Sequence, residues 1–97
     1  MNREQYLLTK LAEECNEVAQ MALKTQQFGM EEKHPDLTLN NKERLHEELN
    51  DLNGIVKMLN DEFGFNYSPS NKQMIYKSRK VDKFYHYSVN LGLVDEG

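Results

Sequence analysis

Apolar residues return every third or fourth position in three stretches of this chain, and polar, glycine-punctuated segments separate them. From about Arg3 to Gln27, Leu7, Leu8, Leu11, Cys15, Val18, Ala19 and Ala22 keep this period, which predicts an amphipathic helix stopped by Gly29. Residues 30–40 hold Pro35 and no period, and so form a polar connection. Asn40, with Glu43 three residues on, gives the capping-box pattern of a second helix. Leu45, Leu49, Leu52, Ile55, Val56 and Leu59 carry that helix to about Glu62, just before Gly64. Ser70 with Gln73 repeats the opening signature, and a third helix follows through Met74, Val81, Phe84, Tyr85, Ser88 and Leu91 to Gly92 as its C′ residue. No alternating Val/Ile/Thr run and no Asn-Gly or Asp-Gly turn signals a strand. The expected fold is all-α: a helical bundle of three long helices, with a further short turn near Ser68, in a single domain over residues 1–97.

Length and charge narrow this picture. A chain of 97 residues has no room for a second core and buries only about 60–65% of its unfolded surface. Long helices with one apolar stripe often close such a deficit by pairing with a second copy, so dimerisation is expected. A net charge of −4 argues against non-specific nucleic-acid binding, which needs a basic footprint. One cysteine permits no internal disulfide, which suits a reducing cytoplasm. No long apolar run is present and the first residues, Met-Asn-Arg-Glu-Gln, lack the apolar stretch of a signal peptide, so a cytoplasmic protein without a membrane partner is expected.

The candidate chemistry lies in two acidic pairs, Glu14-x-x-Glu17 and Glu48-x-x-Asp51. A three-residue step turns a helix by about 300°, which puts both members of a pair on nearly the same side. At about 100° per residue, Glu14 falls inside the apolar arc of the first helix, between Met21 and Leu7, while Glu17 lies at its edge and Glu13 points outward. Glu48 likewise falls between Ile55 and Leu59, with Asp51 at the margin beside Met58. Carboxylates in an apolar stripe are costly without a cation. One candidate cation is Lys77, inside the stripe of the third helix, with Lys80 at its edge. Two readings follow: a metal-and-phosphate site, or a buried acid–lysine network in a non-catalytic helical homo-oligomeric interaction module. A di-iron carboxylate bundle is disfavoured because Glu43-x-x-His46 faces away from the stripe. By phase, Cys15 is a core residue. Gly54 allows a close helix approach. Tyr67, Tyr76, Tyr85 and Tyr87 are candidates for core packing, a dimer seam or stacking on a base.

Glu13-Glu14-Cys15-Asn16-Glu17 followed by Glu48-Leu49-Asn50-Asp51 resembles the EExxE…ExxD signature of MazG-like nucleoside triphosphate pyrophosphohydrolases. The flanks agree, with Lys10-Leu11-Ala12 before the first motif, Val18-Ala19-Gln20 after it, and an apolar run from Ile55 to Leu59 after the second. The likeness covers about residues 5–65 and the third helix only loosely, and the thirty residues between Glu17 and Glu48 slightly exceed the family's usual spacing. The resemblance implies a four-helix-bundle fold completed in a homodimer or homotetramer. It implies Mg²⁺, with Mn²⁺ as a substitute, bound by Glu14, Glu17, Glu48 and Asp51, and catalytic roles for Glu14 and Glu48. The implied reaction converts a nucleoside triphosphate to the monophosphate and pyrophosphate. Lys77 and Lys80 are candidate phosphate contacts on helical phase, not by motif. Base selection would fall to aromatics and the linker, where the sequence carries no code.

Overall fold

The structure is a computed structural model describing residues 1–97. It contains three helices and no strand: α1 (Arg3–Phe28), α2 (Asn41–Phe63) and α3 (Asn71–Asn90). The residues that close each helix explain its bounds. The Asn40 side chain accepts from Glu43 N at 2.9 Å while Glu43 Oε1 accepts from Asn40 N at 3.1 Å, which completes the expected capping box. Asn2 and Gln5 build a second capping box ahead of α1 that the apolar period does not mark. Ser70 Oγ accepts from Gln73 N at 3.2 Å at the start of α3. Gly92, at φ 78°, ends α3. Its N–H reaches Val89 O at 2.9 Å and that of Leu93 reaches Ser88 O at 3.0 Å, the two bonds of a Schellman motif.

No short helix forms near Ser68, contrary to the expected turn. Pro69 disfavours helical geometry at Ser68. The Asn60 side chain also holds both the N–H and the carbonyl of Tyr67, each at 2.9 Å, tying the segment after Gly64 back to α2.

The chain divides into two compact units, Met1–Tyr67 and Ser68–Gly97. The first is an antiparallel α1–α2 hairpin. Arg3 and Glu62 pair at 2.6 Å at its open end. At the closed end the linker folds onto the first turn of α2 through Asn41, which is buried and whose Nδ2 donates to Gly29 O and Glu32 Oε2, both at 2.8 Å. Backbone bonds of 3.0 Å from Asn41 N to Glu32 O and from Lys42 N to Met30 O complete that fold-back.

The buried apolar core of the hairpin is small: Leu7, Met21 and Leu59. Leu11, Val18, Leu45, Leu52, Ile55 and Val56 are half-buried around it. Two helices cover each other only along a narrow line, so the far edge of each apolar arc stays open. Leu8 and Leu49 are 45% and 40% exposed. Cys15, expected in the core, is exposed for the same reason.

Gly54 also departs from expectation. A Cβ placed there would meet nothing within 4 Å, so no partner helix approaches closely. With its packing role removed, only its poor helix propensity remains. Gly54→Ala is therefore expected to stabilise the protein by about 1 kcal/mol, raising the melting temperature by roughly 4–8 °C in a thermal denaturation followed by circular dichroism.

In the second unit α3 buries no residue, and only Ser88 and Val89 are half-buried. Met74, Val81, Phe84 and Leu91 are each more than half exposed. No helix of the chain is long and apolar enough to cross a membrane.

Candidate metal centre

The antiparallel pairing of α1 with α2 brings the midpoints of the two helices together, and the acids of both motifs lie there. One carboxylate oxygen from each of Glu14, Glu17 and Glu48 falls within a span of 4.8 Å. Glu14 and Glu48 are half-buried and Glu17 is exposed, so the cluster opens to solvent on the Glu17 side. Glu14 sits midway between Leu7 and Met21, each about two turns away along α1, which are the best buried residues of that helix. Glu48 lies eleven residues before Leu59, almost directly in line with it on α2.

Two oxygen atoms carry the diagnosis. Glu14 Oε2 and Glu48 Oε2 are shut off from solvent and neither has a hydrogen-bond partner. A buried polar atom is nearly always paired, and a carboxylate more so than a neutral group. The Glu14 carboxyl is pushed above the ordinary glutamate range, first by burial and then by the charges of Glu17 and Asp51. Glu48 is pushed up likewise, first by burial, then by the adjacent Glu17 carboxylate and by the charges of Asp51 and Glu14. The charged neighbours acting on Glu48 are all acids, and although Lys10 on α1 feels the charge of Glu14, its ammonium pairs with Glu13, so neither shielded carboxylate has an ion-pair partner.

The donor set fits a hard divalent ion. Three carboxylate oxygens from two rigid helices are the ligand type that Mg²⁺ and Mn²⁺ prefer. Ligands on opposite sides of an ion at about 2.1 Å lie about 4.2 Å apart, so a small rotamer adjustment closes the observed span.

The other candidate residues divide clearly. Asp51 is exposed and lies outside the close cluster, although its charge acts on both Glu14 and Glu48. Glu13 points outward, as its phase predicts, and pairs with Lys10 at 2.9 Å. Glu43 is spent on the α2 cap and His46 is exposed. Lys77 and Lys80 are exposed on α3 of the single chain.

The hairpin also holds a cavity that residue spacing did not reveal. Lys24 and Phe28 at the end of α1, His34 and Leu37 of the linker, and Asn41 and Arg44 at the start of α2 line it. Arg44 precedes Glu48 by one helical turn, about 6 Å along α2, on nearly the same face. The cavity depends on how the aperiodic linker folds back, for which the sequence has no local signal.

Comparison with protein-family models, with curated proteins and with solved structures finds no match for this chain.

Proposed function

We propose that this protein is a Mg²⁺-dependent nucleoside triphosphate pyrophosphohydrolase, releasing pyrophosphate and a nucleoside monophosphate. The single observation that carries the reading is the pair of unpartnered, solvent-shielded oxygens of Glu14 and Glu48, set face to face within an all-acidic cluster. The EExxE…ExxD spacing supports it.

Glu14, Glu17 and Glu48 would hold the ion, with Asp51 placed to join them from the margin. When bound, the ion would neutralise the acids, bind phosphate oxygens and acidify a coordinated water. The chain's own groups account for the rest. Glu48, with its raised proton affinity, is the candidate general base for the attacking water. The exposed side of the cluster at Glu17 is the entry for the phosphates. The cavity one turn along α2 suits the nucleoside end, where Phe28 offers a ring and Lys24 and Arg44, balanced by Glu32 and Asp36, offer polar contacts. Lys77 and Lys80 are further candidates for phosphate contacts. Assembly into a homodimer or homotetramer, and a cytoplasmic location, belong to the same reading.

Pyrophosphate release from a panel of deoxy- and ribonucleoside triphosphates tests it, with Mg²⁺ and with EDTA. The expected result is turnover of at least one nucleotide that EDTA stops. No release from any nucleotide with either Mg²⁺ or Mn²⁺ would sink the proposal.

A further inference from the structure

The charge of this chain is strongly segregated. A net charge of −4 averages over a helix, α3, that carries Lys72, Lys77, Arg79, Lys80 and Lys83 against a single acid, Asp82. None of these five cations takes part in an ion pair, whereas four of the seven Lys and Arg residues of the hairpin unit, Arg3, Lys10, Lys42 and Lys57, are paired.

Helical phase concentrates the positive charge further. At about 100° per residue, Lys72, Arg79 and Lys83 fall within a sector about 40° wide, with Tyr76 and then Lys80 beside it. Two open concavities follow this stripe and share Tyr76 and Arg79: one runs from Lys72 past Ile75, the other from Lys80 and Lys83 to Phe84. Tyr76 is 72% exposed, so its ring is free to stack. From Lys72 to Lys83 the stripe spans about 16 Å, roughly five stacked nucleotides at 3.4 Å each.

From this we infer that the Lys72–Tyr76–Arg79–Lys83 face of α3 is a docking surface for the sugar-phosphate backbone of a single-stranded nucleic acid, with Tyr76 as its base-stacking platform. A row of unpaired cations interleaved with an exposed aromatic ring combines the two elements that non-specific strand binding uses. An anionic membrane fits less well. The cationic sector lies nearly opposite the apolar arc of Met74, Val81, Phe84 and Leu91, so the two cannot meet one bilayer surface together, and Lys77 and Ser88 interrupt that arc.

The test is fluorescence anisotropy of a labelled 20-nucleotide single strand, using the full chain and a Lys72→Ala/Arg79→Ala/Lys83→Ala variant across a salt series. Alanine favours helix, so α3 is retained, and far-ultraviolet circular dichroism checks this. The native chain is expected to bind with a log–log salt slope near −2, as three single-strand phosphate contacts give. The triple variant should bind at least ten-fold more weakly with a flattened slope, and Tyr76→Leu should weaken binding without changing the slope. Mg²⁺-dependent hydrolysis, where measured, should survive all three substitutions, which separates this surface from the acidic site. Absence of binding at 50 mM salt, undiminished binding by the triple variant, or equal affinity for phosphatidylserine vesicles would each overturn the inference.

Discussion

Glu48→Gln is expected to abolish nucleotide hydrolysis, lowering kcat by about three orders of magnitude or more, while leaving helical content unchanged. The amide keeps the size of the side chain and removes both a ligand charge and the candidate base. The same substitution should raise the thermal stability of the metal-free protein at neutral pH, because it replaces a shielded carboxylate that faces only other acids. The sign follows from linkage. The folded-state proton affinity of Glu48 lies above that of the unfolded chain, so native stability is intact below the unfolded glutamate value of about 4.3 and declines as pH rises through the higher folded value. The glutamine variant lacks this decline. Its melting temperature should match the native one at pH 4 and exceed it at pH 7.5. A structural acid–lysine network predicts the reverse, since glutamine would leave a lysine unpaired. A variant that retains native turnover excludes Glu48 from catalysis.

Mg²⁺ should raise the melting temperature of the native protein, and by more at alkaline than at acid pH. At a hundred times the dissociation constant, binding to the folded state alone contributes about 2.7 kcal/mol. For a domain of this size that corresponds to roughly 10–20 °C. Glu14 and Glu48 both hold their protons more tightly than usual, so protons compete with the ion as pH falls. The shift should therefore be largest near pH 8 and small at pH 5, read by scanning calorimetry at fixed excess Mg²⁺. In Glu48→Gln the shift should be largely lost. A native melt indifferent to Mg²⁺ and Mn²⁺ at pH 8 would remove the metal centre.

Much of the hairpin was legible because its signals are local. Asn40 with Glu43, and the glycines at 29 and 64, mark helix ends through bonds made within a few residues. The phase of Glu14 and Glu48 among leucines was equally readable, since each helix fixes which of its own residues share a face. Asp51 at the margin and Glu13 outside it follow from the same rotation. Where the reading failed, the missing quantity was a partner. Cys15 and Leu8 belong to an apolar arc on their own helix, yet nothing on α2 covers that edge. Gly54 looked like a contact point, but open space surrounds it.

The sequence by itself determined three helices, the N-caps of the second and third, and two acids turned toward apolar neighbours, because 3.6-residue periodicity and capping chemistry act within a turn or two. Only the tertiary structure decided that Glu14, Glu17 and Glu48 come within reach of one ion and that two of their oxygens lose both water and partners. It alone set the folded linker that lines the neighbouring cavity. Those properties depend on the axial offset of α1 against α2 and on the Asn41 anchor at Gly29 and Glu32, which are long-range packing choices that no single helix encodes.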